Sequence, residues 1–174
     1  MRSLVALDSV DLRTLACPWC GRVPQGATFG WKAVRDGAVV GVLAAAPASE
    51  LGGPYPQGAV VVVQAWVRRE DVRELIGTQL VHRAAAALIT RRVSCLVAPG
   101  TFGVPDCRHL PGAFLDKLGF TESVAGRQWR MDLRRTLRVP EAVRGVADLV
   151  GRLVRPARPA PANRRGLGFF APRA

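Results

Sequence analysis

A chain of 174 residues with 49% hydrophobic and 22% charged side chains is long and apolar enough to bury one sizeable core, which excludes a disordered polymer. No apolar run approaches the roughly 20 residues that span a bilayer, and the opening Met1-Arg2-Ser3-Leu4 lacks the apolar stretch and cleavage site of a signal peptide, so a cytoplasmic protein is expected. The formal charge is +12, but ten arginines and two acids (Glu141, Asp148) fall between Arg134 and Ala174, a net +8 that leaves +4 on the first 133 residues. Any attraction to a polyanion therefore belongs to the C-terminal segment, although an arginine excess of this kind also arises from a GC-rich coding sequence.

In chain order, Ser3 to Ala6 reads as a short strand, and Asp8 as the cap of a brief helix through Leu15. That helix ends at the Cys17-Pro18-Trp19-Cys20-Gly21 knuckle. Two apolar runs, Phe29 to Arg35 and Ala38 to Ala44, flank Asp36-Gly37. This is a hairpin signal, because a type I′ turn needs positive φ at both central residues. Pro47 to Gly58 is a Gly- and Pro-rich loop. Ala59 to Val67 is almost continuously β-branched, as expected of a strand covered on both faces.

Past Arg68 to Asp71 a helix is predicted over Val72 to Thr90, with Val72, Ile76, Leu80, Ala84, Ala87 and Leu88 on one face. Val93 to Ala98 is the next strand, so Ala59 to Ala98 forms a β-α-β unit with parallel neighbours. A loop over Pro99 to Arg108 leads to a short helix, Pro111 to Leu118, stopped by Gly119. Phe120 to Leu133 reads as two strands about Ala125-Gly126. Beyond them, Val139, Val143, Val146, Val150 and Leu153 recur at helical spacing after Pro140. The domain boundaries that follow are 1–134 for the folded domain, 135–155 for an amphipathic helix and 156–174 for a Pro- and Arg-rich tail expected to be disordered.

The hairpin with strand Ala59 to Val67, helix Val72 to Thr90 and strand Val93 to Ala98, together with Phe114-Leu115-Asp116-Lys117-Leu118-Gly119-Phe120, resembles the GNAT N-acyltransferase superfamily over roughly Phe29 to Leu133. Cys17 with Cys20, Cys107 followed by Leu110-Pro111, and Leu133 to Leu137 are similar to a bacterial GNAT subfamily with an N-terminal Cys-x-x-Cys. The resemblance implies an α/β (α+β) fold: a mixed, mostly antiparallel sheet with a central β-α-β unit and a splay between two parallel strands. The C-terminal amphipathic helix is added to it.

Acetyl-CoA or another acyl-CoA is the implied cofactor. Its diphosphate would lie on backbone amides at the central helix N-terminus, where unpaired N–H groups and the helix dipole favour an anion. The family pattern Gln/Arg-x-x-Gly-x-Gly/Ala falls on Val72 to Gly77, of which only Gly77 is kept. Leu75 stands at the other glycine, Arg73 offers a neighbouring cation, and Glu74 brings a carboxylate towards the expected diphosphate. The implied cofactor residues are Trp66, Val67, Val72, Arg73, Glu74, Leu75, Ile76, Gly77 and Thr78.

Amine acylation needs a neutral nucleophilic nitrogen and a stabilised tetrahedral intermediate, with an acid for the leaving thiolate. The tyrosine many family members place on the late helix is Leu115 here, and Gln64 is the only polar side chain of the central strand. Tyr55 reads as an exposed loop residue and His82 as a surface histidine. Catalytic candidates are Glu70, Asp71 and Cys107, with His109 beside the last. Glu70 and Asp71 also read as solvated charges at a helix start.

Cys17 and Cys20 have the letters of a zinc knuckle, but a structural site takes four ligands, and Cys107 and His109 match no standard second pair. The reading therefore favours a buried or loop thiol pair at Cys17 and Cys20 over a metal site, with zinc on these two cysteines or a redox role as the alternatives, and Cys95 is a small apolar core residue. Two functions stay open: a GNAT-type enzyme acylating an amine, or a catalytically degenerate GNAT-like module. The module would use its basic C-terminal segment to bind an acidic protein or nucleic acid.

Overall fold

The computed structural model describes residues 1–134. The amphipathic helix and basic tail read over 135–174, and with them the acidic-partner reading, lie outside the described residues. Among the described residues no helix is long and apolar enough to cross a membrane.

The sheet begins with β1 (Arg2–Ala6), antiparallel to β2 (Phe29–Arg35), which pairs with β3 (Ala38–Pro47). Asp36 and Gly37 both take positive φ, 50° and 77°, so the predicted hairpin turn forms as its letters require. Asp8 does cap the first helix, α1 (Asp11–Thr14), its Oδ1 accepting from the amides of Val10 and Asp11 at 2.7 and 2.8 Å. A short helix α2 (Ala48–Leu51) leads to β4 (Ala59–Val67), which keeps its predicted bounds. Then follow α3 (Ile76–Thr90), β5 (Cys95–Thr101), a two-residue strand β6 (Leu110–Pro111) and α4 (Gly112–Lys117). The chain closes with β7 (Thr121–Val124) and β8 (Gln128–Asp132). The strand order is β1-β2-β3-β4-β5-β8-β7, with β6 beside the far end of β5.

Strand β3 runs to Pro47 rather than Ala44 and α2 forms within the predicted Pro47–Gly58 loop, and two further differences bear on the site. Strand β5 starts at Cys95 rather than Val93 and runs to Thr101, so the loop predicted from Pro99 begins three residues later. The central helix starts at Ile76, not Val72. Arg69–Asp71 form a 3₁₀ turn, Val72 is extended, and Arg73 and Leu75 sit at φ 80° and 60°. A helix cannot propagate through left-handed residues, so the apolar period that begins at Val72 overruns the real start.

All sheet pairs are antiparallel except β4 with β5 and β5 with β6. Parallel pairing of β4 with β5 covers only Ala59, Val60 and Val61 against Cys95, Leu96 and Val97, after which the strands diverge. The local chemistry explains the divergence. An extra residue in β4 breaks its register with β3 between Ala44 and Ala45, and such a bulge increases local twist. On the other side Pro99 of β5 has no N–H to offer a neighbouring strand.

Helices α3 and α4 cover one sheet face, where Val60, Val62, Ile76, Leu80, Leu88, Leu96, Leu115 and Trp129 form the main core. Gly41 on β3 permits this docking: a Cβ there would lie 2.8 Å from Ile76 Cγ2 and 3.2 Å from the Trp66 carbonyl oxygen. The opposite face carries a second cluster of Cys17, Val42, Ala44, Trp66 and Cys107.

Candidate active site between the diverging strands

The loop joining β4 to α3 is held by two arginines. Arg35 of β2 binds the Asp71 carboxylate and also donates to Glu74 Oε2 at 2.7 Å. Arg2 adds a hydrogen bond to the Glu74 carbonyl oxygen at 3.2 Å and an ion pair to Oε2 at 3.7 Å. Asp71 is therefore not the solvated helix-start charge expected from sequence; it is 1% exposed. Glu74 does not project an unmatched charge towards an anion, because Arg2 and Arg35 share it. Loss of the patterned glycine at Leu75 leaves the backbone form intact. Leu75 takes φ 60°, the left-handed conformation glycine adopts most readily. It leads into the first turn of α3, where the amides of Ile76, Gly77 and Thr78 have no intrahelical acceptor.

These amides border a groove of about 660 Å³ between β4, α3 and α4, within the size range of small-molecule sites. Its walls include Val67, Gly77, Phe114 and Leu118, and two cations, Arg73 and Lys117, line it. At Gly77 a Cβ would lie 3.3 Å from Phe114 Cζ and 3.8 Å from Val67 Cγ2, so glycine keeps this passage open. Among the described residues Asp71 Oδ2 and Trp66 Nε1 are buried without a hydrogen-bond partner, and both residues line the groove. Orphaned polar atoms at a concave wall fit a polar ligand. Trp66, Val67, Val72, Arg73, Leu75, Ile76, Gly77 and Thr78 all line this groove, while Glu74, the other proposed cofactor residue, faces Arg2 and Arg35 instead.

At the inner end the loop after β5 returns between the strands. The Ala65 amide of β4 donates to the Cys107 carbonyl oxygen at 2.7 Å, which closes the splay there. The Arg68 amide donates to Val40 on β3. Strand alternation then turns the Val67 amide towards the groove side, as it does that of Ala65. Cys107 is buried and lines the groove. Beside it Asp106 Oδ1 accepts from the amides of Arg108 and His109 at 2.8 and 2.6 Å and lies 3.0 Å from His109 Nδ1. Burial works to raise the Asp106 pKa, but these donors outweigh it and hold the carboxyl below its ordinary value. A second, polar cavity of about 730 Å³ lies against Gln64, Tyr55, Arg22, Arg108 and His109. Tyr55 is half-buried there, packed on Ala59, Val61, Cys95 and Val97, rather than the exposed loop residue expected.

Glu70, the remaining catalytic candidate, does not line the groove. It is exposed on the 3₁₀ turn, 4.0 Å from Arg68. Leu115 is fully buried in the core, so α4 presents Phe114 and Lys117 to the groove and no proton donor at the tyrosine position. His82 lies exposed at the groove rim, as a surface histidine should.

Cys107 meets Cys20 Sγ to Sγ at 3.2 Å, and the Cys17 sulfur joins them, all three within 4.8 Å of one another. Burial pushes the Cys107 thiol up to about 12 and raises Cys17 as well. In contrast the Arg22 amide, and next the Cys107 sulfur, lower Cys20. Sequence reasoning missed Trp19, Phe114 and Lys117 as groove residues; their place follows from chain reversals that no local pattern records. The left-handed letter at Leu75 was equally hidden, since leucine carries no signal for it.

No protein-family profile matches the chain, and no curated protein resembles it in sequence. Solved structures do resemble it in fold. The ribosomal-protein-S18-alanine N-acetyltransferase of Escherichia coli matches at TM-score 0.54 and 14% identity, over 76% of this chain and 94% of that one. A GNAT-family N-acetyltransferase of Escherichia coli, solved in complex with CoA, matches at 0.57 and 14%, over 76% and 81%. A GNAT-family acetyltransferase of Brucella melitensis, solved in complex with acetyl-CoA, matches at 0.52 and 16%, over 76% and 88%. The chain has the fold of the GNAT N-acetyltransferases.

Proposed function

We propose that this protein transfers an acyl group from acyl-CoA to an amine. One observation carries the reading: β4 and β5 part after three paired residues, and the groove so opened begins at the free amides of α3. In this reading the amides from Leu75 to Thr78 hold the diphosphate, with Arg73 and Lys117 as its counter-charges. The helix dipole adds to that attraction. The Val67 amide is the strand donor placed to polarise a thioester carbonyl, because Ala65 already gives its proton to Cys107.

Without a tyrosine on α4, the rate would come from holding the two reactants in line rather than from side-chain proton transfer. A positioning contribution of this kind can supply about 7 to 11 kcal/mol of a barrier.

Calorimetric titration of the full chain with acetyl-CoA tests the reading. One site per chain is expected, with a negative heat-capacity change from burial of apolar groove surface. The complex should then release CoA when a panel of primary amines is supplied. Absence of heat at millimolar acetyl-CoA would overturn the reading and leave the non-catalytic module.

A further inference from the structure

We propose that Cys17, Cys20 and Cys107 bind one zinc ion as thiolates, with the fourth position open to a water or a substrate atom. The three sulfur atoms already lie within 4.8 Å of one another. Tetrahedral zinc with Zn–S bonds of about 2.3 Å needs sulfurs roughly 3.8 Å apart, so the Cys20–Cys107 pair at 3.2 Å has to open slightly and no pair has to close by more than about 1 Å. Two come from the knuckle and the third from the loop that seals the splay, 87 residues after Cys20.

The surroundings suit thiolates. The Trp19 amide donates to Cys17 Sγ at 3.4 Å, and the Arg22 amide donates to the Cys20 sulfur. Gly21, at φ 71°, shapes the turn, its amide bonding the Cys17 carbonyl oxygen at 2.8 Å. Gln64, 2% exposed, donates from Nε2 to both the Arg22 carbonyl oxygen (2.7 Å) and Cys107 Sγ (3.4 Å). Its Oε1 is buried with no partner among the described residues. A buried amide that orients a ligand sulfur is what outer-shell support of a metal looks like.

Soft sulfur donors select zinc over harder divalent ions. Three thiolates leave a net charge of −1 on the site, with the positive charge of Arg22 near Cys20 to oppose it. No fourth His, Cys or acidic side chain joins the cluster among the described residues, and Cys20 is exposed, so the last position faces outward. The ion would tie the knuckle to Cys107 and thereby hold the Cys107 carbonyl oxygen on the Ala65 amide. In that way it fixes how far the strands part.

The test uses the full chain, purified without chelator or a nickel column, and reads metal rather than acyl transfer. It can therefore fail independently of the transferase reading. Elemental analysis should give one zinc per chain. Titration of the stripped, reduced protein with Co²⁺ should produce a strong near-ultraviolet thiolate-to-cobalt charge-transfer band. Cys107→Ser should weaken metal binding at least tenfold, beyond the low end of the loss an outer-shell change produces. Cys95→Ala, the cysteine outside the cluster, should leave it unchanged. If Cys107→Ser does not fold, Cys20→Ser at the exposed ligand reads the same loss. Substoichiometric zinc with no cobalt band would overturn the proposal. So would equal affinity in the Ser variants, or a Cys20–Cys107 disulfide found by mass spectrometry in the native protein.

Discussion

Replacing Gly77 separates a folding residue from a binding residue, because the two effects have opposite sign. Gly77 is the second residue of α3, with no positive φ to preserve. Alanine is favoured over glycine in a helix interior by about 0.8 to 1.0 kcal/mol, and less in a first turn. Against this, the new methyl would meet Phe114 Cζ at 3.3 Å, a contact a ring edge relieves by moving a few tenths of an ångström. The free protein should therefore be as stable as wild type or firmer by roughly 0.5 kcal/mol.

Binding should go the other way, since the same methyl stands between the α4 and β4 walls and lifts the diphosphate off the amides. At 100 times its dissociation constant, a ligand stabilises the native state by about 2.7 kcal/mol. With the 134 described residues as the unfolding unit, the melting entropy is about 0.28 kcal/mol/K, so the shift in Tm is about 10 °C. A tenfold weaker complex at the same ligand concentration retains about 1.4 kcal/mol, or about 5 °C. Thermal melts of both proteins with and without acetyl-CoA measure this directly. Gly77→Glu should abolish the shift outright while circular dichroism stays near wild type. A full shift in Gly77→Ala, or any shift in Gly77→Glu, would refute the placement of the diphosphate on this helix.

Two further outcomes concern the core behind the site and the loop that seals it. Gly100→Ala would put a Cβ 2.6 Å from the Trp129 ring and 2.8 Å from Leu115 Cδ1, while Gly112 already confines the ring's other edge. Overpacking of about 1 to 3 kcal/mol outweighs the 0.5 to 1 kcal/mol or so that alanine gains over glycine. A net loss of about 1 to 2 kcal/mol should appear in urea denaturation at unchanged m, and should shrink when Trp129→Phe is added. Asp106 governs pH dependence of the sealing loop. Its folded pKa is depressed, so its contribution is present above the ordinary carboxylate value of 3.8 and fades as pH falls through the folded value. The Tm gap between wild type and Asp106→Ala should be constant above about pH 5 and close below it; a gap that widens in acid would contradict the hydrogen bonds assigned to that carboxylate.

What the sequence alone determined are the features written in local letters. A nearly continuous β-branched run marked β4 to the residue, Asp36-Gly37 marked the β2–β3 hairpin, and Gly119 after an apolar turn marked the end of α4. Local chemistry is enough for these, because each depends on dihedral preferences within a few residues. The groove itself came from long-range geometry. The sequence placed a carboxylate at Glu74 against the expected anion, and only the fold supplied Arg2 and Arg35 to take it. It placed a helix from Val72, and only the docking of the loop forced Arg73 and Leu75 into the left-handed region. Cys107 looked isolated because 87 residues separate it from Cys20. Chain reversal through β5 and β6 brings them into contact. Spacing along the chain carries no record of distance across a sheet, so any site assembled from its two faces becomes legible only once the strands are paired.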